Sequence, residues 1–158
     1  MAITASGLYV TTFVDAFDAT QLAIDLSLAT HKLALFSNTI TPNFTTDTAY
    51  GVSPYDANEV SGTGWAAGGV ALSAAGSGGA STNPALTGGS GAMKYDMDDV
   101  VVSSTTLTNA RGVLLYADAL AGNNAIVLVN FGADYSTVTG TFTIAWNASG
   151  VFTVDLTP

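Results

Sequence analysis

Along residues 138–146, Val138, Gly140, Phe142, Ile144 and Trp146 alternate strictly with Thr139, Thr141, Thr143 and Ala145, the period of two expected of a strand with one buried face. Phe152, Val154 and Leu156 alternate in the same way with Val151, Thr153 and Asp155, and only Asn147-Ala148-Ser149-Gly150 lies between the two runs. This pattern predicts an antiparallel hairpin in fixed register. Upstream, residues 112–117 (GVLLYA) and 125–131 (AIVLVNF) are apolar with no alternation. Such runs predict strands in the middle of a sheet covered on both faces. Residues 105–156 therefore read as four consecutive strands.

The earlier part of the chain is less regular. Tyr9, Phe13 and Phe17 recur at a spacing of four with Val10 and Val14 beside them, which predicts one apolar face of a short helix over residues 8–18. Thr11, Thr12 and the valines are poor helix formers, so a strand pairing with a neighbour is the alternative. Residues 21–26 (QLAIDL), 32–37 (KLALFS), 65–73 (WAAGGVALS) and 95–103 (YDMDDVVVS) are expected as strands. Residues 38–64, rich in Thr, Asn, Pro and Tyr, form a long ordered excursion, and loops of that length usually have a role. Residues 74–92 (AAGSGGASTNPALTGGSGA) are of low complexity and read as a flexible Gly/Ser-rich loop. The elements add up to an all-β fold: one domain over residues 1–158, a β-sandwich or jelly-roll-like domain of about nine strands, with at most one short N-terminal helix.

Composition sharpens this picture. A chain of 158 residues buries about 68–70% of its unfolded surface, enough for a core without staples. With no cysteine, disulfides, thiolate metal sites and cysteine nucleophiles are excluded. Only 9% of residues are charged, against roughly 25% in an average soluble domain, and mean hydropathy is +0.40. Two explanations remain open: a Thr/Ser/Gly/Asn exterior, or a surface covered in an assembly. The net charge of −9, with Lys32, Lys94 and Arg111 the only fixed cations, argues against a nucleic-acid partner, which needs a basic patch. No apolar run approaches the ~20 residues of a membrane-spanning helix, and the first residues lack the charged start and apolar core of a secretion signal.

Candidate chemistry is sparse. The single His31 would need a carboxylate and a nucleophile to act as a general base, and no GxSxG-type turn is present, so it reads as structural. Two of the twelve acids could serve glycoside hydrolysis, but nothing marks a pair. Asp96, Asp98 and Asp99 form the one acidic cluster; it lacks the glycine and distal carboxylate of a calcium loop and reads as a charged strand edge that discourages unwanted pairing. No Gly-rich run has the Lys-Ser/Thr ending of a phosphate loop. Asn43-Phe44-Thr45 and Asn147-Ala148-Ser149 match the glycosylation pattern by chance, the second being turn chemistry. No catalytic, metal or cofactor residue is assigned, and the chain is not expected to be an enzyme. Trp65, Trp146, Tyr50, Tyr55 and Tyr135 could stack on sugars if exposed in a row, although Trp146, in phase with Phe142 and Ile144, reads as core.

The succession KLALFSNTITPNF (32–44), AYGVSPYDANEVSGTGWAAGGVALS (49–73), TLTNARGVLLYADAL (106–120) and the run from 126 to 156 resembles a family of tailed-bacteriophage virion structural proteins. Its hallmarks are a K-x-A-L-F strand, an N-E-V-S-G-T-G-Y-x-A-G-G-V segment, a T-A-R strand, an N-F-G-x-D turn and a terminal G-x-F-x-I-x-W-N hairpin. They match residues 32–37, 58–70, 109–116, 130–134 and 140–152, in the same order over about three quarters of the chain. The chain departs from the pattern in having Trp65 where the family has Tyr, and in the 74–92 insertion, which puts lateral contacts in doubt. The resemblance implies a structural role in the virion: decoration of the outer capsid surface, with the major capsid protein and further copies of this chain, in a trimer, as partners. Interface candidates are Tyr50, Tyr55, Trp65 and Arg111, the last through a charge-assisted bond. The competing implication is a tail-tip or fibre-associated domain that binds a host glycan through Tyr50, Tyr55, Trp65 and the 74–92 loop.

Overall fold

The runs that are apolar on both faces lie side by side at the centre of the molecule. In the computed structural model, which describes residues 2–157, the chain runs through β1 (Gly7–Leu8), α1 (Val10–Phe17), β2 (Lys32–Phe36), β3 (Glu59–Val60), β4 (Val70–Ala71), β5 (Ala85–Gly89), β6 (Ala92–Asp96), β7 (Val100–Tyr116), β8 (Ala125–Ile144) and β9 (Phe152–Asp155). The larger antiparallel sheet has the order β1-β8-β7-β2-β3, with β4 also on β2; the smaller has the order β5-β6-β9. The domain is all-β, with nine strands among the described residues.

Within the larger sheet, Leu33 pairs with Leu115 and Leu35 with Val113, and Leu115 pairs in turn with Val127. These side chains join Trp65, Leu72, Tyr95 and Met97 in one core, so that core is shared with the smaller sheet. One residue out of phase, Ala34, Leu114 and Leu128 align across the same three strands. They join Ile3, Tyr9, Phe36, Ile40, Tyr55 and Tyr116 in a second core on the opposite face. Two cores on two faces are what a non-alternating apolar run demands, since every side chain of such a strand must be covered.

Helix α1 exists, but it presents another face than the one expected. Tyr9 N donates to Ile126 O (3.2 Å) and the Thr12 hydroxyl to Ala125 O (2.5 Å), so the buried stripe runs through Tyr9, Thr12 and Phe13. Phe17, at 83% exposure, stands in solvent with Val10 and Val14. Eight residues of low helix propensity make a marginal helix on their own; anchoring to the carbonyls of β8 holds it and sets its rotation.

The pairing of β7 with β8 is broken at four places between Val102 and Gly112. Left-handed backbone occurs within these breaks, at Ser104 (φ 57°) and Asn109 (φ 58°) on β7 and at Gly132 (φ 78°) and Thr139 (φ 49°) on β8. The breaks are β-bulges, which leave one strand an extra residue and increase the local twist. In the middle of this ribbon one face of β7 stays buried through Thr105, Leu107 and Ala110 while Ser103, Ser104, Thr106, Thr108 and Asn109 are exposed, and β1 pairs with β8 at Val127 and Leu128.

Several expectations are corrected. The terminal hairpin does not form: Asn147–Gly150 turns as anticipated, with Gly150 N donating to Asn147 O (2.8 Å), but β8 pairs with β7 and β9 with β6. Alternation specifies which face is buried and says nothing of the partner strand. Here Asp99 captures Trp146 N (2.9 Å), and Phe152 packs on Tyr95 and Phe13. Val138, read as facing the core, is 85% exposed. Residues 105–156 therefore hold the end of β7, β8 and β9, three strands in place of four. The 74–92 segment contains β5 and a buried Thr82, whose carbonyl accepts Asp98 N (2.7 Å). Residues 21–26 are not a strand, 65–73 contribute only the two residues of β4, and the expected 95–103 strand is interrupted at 97–99.

A comparison of two aliphatic truncations checks the placement. Leu114→Ala is expected to lower the unfolding free energy by about 3 kcal/mol in a urea titration, whereas Val138→Ala should change it by less than about 0.5 kcal/mol. Equal losses would mean that residue 138 faces the core as a terminal hairpin requires.

Candidate functional site

Segment 58–70 folds back on the sheet and is held there by Glu59 and Gly68 together with Tyr50 and Tyr116. Glu59, on β3, accepts the Tyr50 hydroxyl on one oxygen (2.8 Å) and Gly68 N on the other (2.8 Å). The Tyr50 ring stacks on Tyr116 at 4.5 Å and 12°. The Tyr116 hydroxyl closes the circuit by donating to Gly68 O (2.7 Å). Gly62 and Trp65 exchange two backbone bonds (2.8 and 3.1 Å), a tight reversal that drives the Trp65 indole into the core, edge-on to Phe142 at 5.7 Å.

Two glycines let the segment lie this close. A Cβ on Gly62 would stand 2.1 Å from Thr106 O, and one on Gly69 2.1 Å from Leu33 O; Gly69 also has φ +80°. Both approaches are backbone on backbone and leave no side chain to move aside. The motif is therefore a packing device, which explains its residue types without any ligand.

The four interface candidates are dispersed by this arrangement. Trp65 and Tyr55 are buried within the chain, the latter with its hydroxyl hydrogen-bonded to that of Tyr9. Tyr50 is half-buried in the Glu59 circuit. Arg111 reaches Asp134 across the β7–β8 ribbon at 3.4 Å, a pair on the solvent side, while its Nε is buried without a partner. Tyr50, Tyr55 and Trp65 thus make no row of exposed rings. The exposed aromatics are instead Phe17 and Tyr135; Tyr135 is one of the five aromatics that the sequence offers for sugar stacking, and the exposure of Phe17 has no sequence signal because its spacing marks it for the buried face.

The titratable groups are likewise built into the fold. His31 is buried, with Nε2 donating to Asp25 O (2.7 Å), and burial pushes its pKa down. Asp96 pairs with Lys94 (2.8 Å), Asp98 accepts Asn83 Nδ2 (2.7 Å) and Asp99 accepts Trp146 N, so the acidic cluster is divided among three tasks. Among the described residues no group of three His, Cys, Asp or Glu could hold a metal ion. No helix there is long and apolar enough to cross a membrane. A shallow apolar groove of about 420 Å³ lies between α1 and the smaller sheet, lined by Phe13, Phe17, Leu22, Ile24, Leu86 and Met93.

No protein-family model, curated protein or solved structure matches the chain.

Two expectations test the motif as a packing device. Gly69→Ala should cost about 4 kcal/mol, because strain and a backbone clash combine. Gly68→Ala, also left-handed (φ +87°) but with open space around it, should cost about 1 kcal/mol; similar losses in thermal or urea melts would remove the close approach as the cause. Alkaline pH provides the second. Burial raises the Tyr50 pKa to about 12, with the Glu59 hydrogen bond adding to it, and burial also raises Tyr9, Tyr55, Tyr95 and Tyr116. These phenols lose their protons near pH 10 in the unfolded chain and later in the folded one. Their contribution is complete below pH 10 and falls as pH rises from there. Melting temperatures should drop steeply between pH 10 and 12, and a flat profile would contradict the burial of this set.

Proposed function

We propose that the chain is a structural protein of a tailed-bacteriophage particle, and within that class a decoration protein that lies on the outer surface of the major capsid shell and stabilises it. The observation that carries this reading is the ordered succession of motifs together with where they fall: residues 32–37 are β2, 58–70 the clamp between β2 and β7, 109–116 the apolar end of β7, and 130–134 part of β8. Four of the five segments that resemble one family meet in the larger sheet, while the fifth, 140–152, passes from β8 into β9 of the smaller sheet without forming a hairpin.

Physical features of the surface favour an assembled protein over an enzyme. The recognisable residues are spent on packing, and the few cations are Lys32, Lys94 and Arg111, each paired with an aspartate at 3.0, 2.8 and 3.4 Å. Exposed apolar side chains such as Val10, Val14, Phe17 and Leu86 leave surface that association would cover. A standard interface buries about 1,600 Å² in total, and a protein that binds only the assembled shell stabilises it by mass action. The partners are the major capsid protein and further copies of this chain around a local symmetry axis; nucleic acid is disfavoured by the charge of −9. The burial of Tyr55 and Trp65 removes two of the contact residues expected for the capsid reading and two of the three rings expected for the tail-tip reading.

Quantitative mass spectrometry of purified virions tests the station. A ratio to the major capsid protein between about one-third and one is expected of a component that follows the symmetry of the shell. A ratio below about one-fiftieth would place the chain at the tail and overturn the decoration reading.

A further inference from the structure

A groove of about 580 Å³ runs along β8 and the residues after it, where the strand is paired with β7 on one edge and, among the described residues, with no strand on the other. This is within the rough 300–1,000 Å³ range of small-ligand clefts. Its floor is aromatic: Phe131 stands edge-on to Tyr135 at 6.1 Å and against Phe142 at 6.0 Å, with Trp146 at the far end. Its sides carry Ser, Thr and Asn, with Thr141 and Thr143 exposed. None of the twelve lining residues is charged, in a chain whose net charge is −9.

That lining selects a ligand class. Aromatic faces remove apolar surface from water, hydroxyls and amides exchange hydrogen bonds in both directions, and an ionised ligand would find no counter-charge. A ligand with apolar C–H faces and a rim of neutral hydroxyls fits all three conditions. The free strand edge also suggests an added peptide strand, but Gly132 and Thr139 are left-handed and sit at shifts of the β7–β8 register. The β8 edge between them, residues 133–138, crosses a further register shift at Tyr135–Thr137 and is too twisted for a regular ladder.

We infer that the β8 groove binds a short neutral oligosaccharide, its rings lying on Phe131 and Tyr135 and its hydroxyls meeting the Thr141 and Thr143 side. The inference goes beyond the capsid reading and is independent of the station on the particle, since the groove lies within one chain. Many copies on one particle would turn a weak site into firm adhesion by raising the effective concentration of the remaining sites.

The full chain, labelled with ¹⁵N, is titrated with maltohexaose, cellohexaose, laminarihexaose, mannotetraose and chitotetraose, each to about 10 mM, a range that captures Kd values on the order of 1 mM. At least one sugar is expected to shift amides within residues 129–146 and to leave α1 and β2 unmoved. Tyr135→Ala should weaken that binding at least about tenfold; Tyr135 is half exposed, so the fold should persist, as the unchanged amide spectrum of β2 and β7 would verify. Val138→Ala, outside the groove, should bind as before. Absence of shifts with all five sugars, shifts outside the groove, or binding indifferent to Tyr135→Ala would overturn the inference. So would occupation of the groove by a peptide of residues 138–146 in place of every sugar, which would make it a strand-addition site. Copy number, by contrast, bears only on the capsid reading.

Discussion

Every part of this domain depends on a strip of backbone whose side chains must be buried on both faces, residues 112–117 of the β7 end and 125–128 of β8. Because neither face can meet water, the chain has to supply two covers. One comes from the smaller sheet, Phe13 of α1 and the clamp at 58–70, the other from the N-terminal segment up to Tyr9 and the 38–57 excursion. The accessory elements are short, and each is fastened to this strip: β1 pairs with Val127 and Leu128, α1 hangs from the Ala125 and Ile126 carbonyls, and β2 pairs along Gly112–Tyr116. None of them would be stable alone.

The same ribbon changes character along its length. From Gly112 to Leu115 it pairs in regular register, with one shift at Leu115/Tyr116; between Val102 and Gly112 four irregularities with left-handed residues twist it. A Thr-rich free edge with a single carboxylate, Asp134, invites aggregation, and bulges are one of the ways natural sheets blunt such an edge. The chain thus protects β8 by geometry where most soluble proteins use charge, which accords with its shortage of lysine. A surface of this kind tolerates close apposition to other uncharged surfaces, and the proposed place in a virion makes use of that property.

Much of the fold was legible where patterning left a single physical solution. The apolar run 112–117 is central as expected; the run 125–131 is covered on both faces only as far as Leu128, beyond which Val129, Asn130 and Phe131 are half-buried along the groove. Helix α1 was legible as an element but not in rotation, because its spacing marked Phe17 while tertiary bonds from Tyr9 and Thr12 decided which side faces in. The missing hairpin has a related cause: Asn147–Gly150 is a good turn and both flanks alternate, yet strand partners are chosen by long-range contacts such as Asp99 to Trp146 N that no local pattern records. Ser104 and Thr139 give no sign of their left-handed backbone, so the bulges were invisible. Of the proposed contact residues, Trp65 and Tyr55 looked like recognition aromatics because their loops are polar; the glycines at 62 and 69, which draw the segment into the sheet, were in view but their close approach was not.

The central claim is that segment 58–70 is fastened to the core through Val60 and Trp65 and that the β7–β8 strip organises it. Residue-resolved hydrogen exchange on the free protein tests both at once. Gly62, Trp65, Gly68 and Gly69 N–H groups, all hydrogen-bonded within the fold, are expected to exchange as slowly as Leu114 and Leu128, whereas residues 133–138 exchange orders of magnitude faster. Fast exchange across 62–69 with slow exchange in β7 would contradict the account, making the motif a surface loop and returning Trp65 to the exterior.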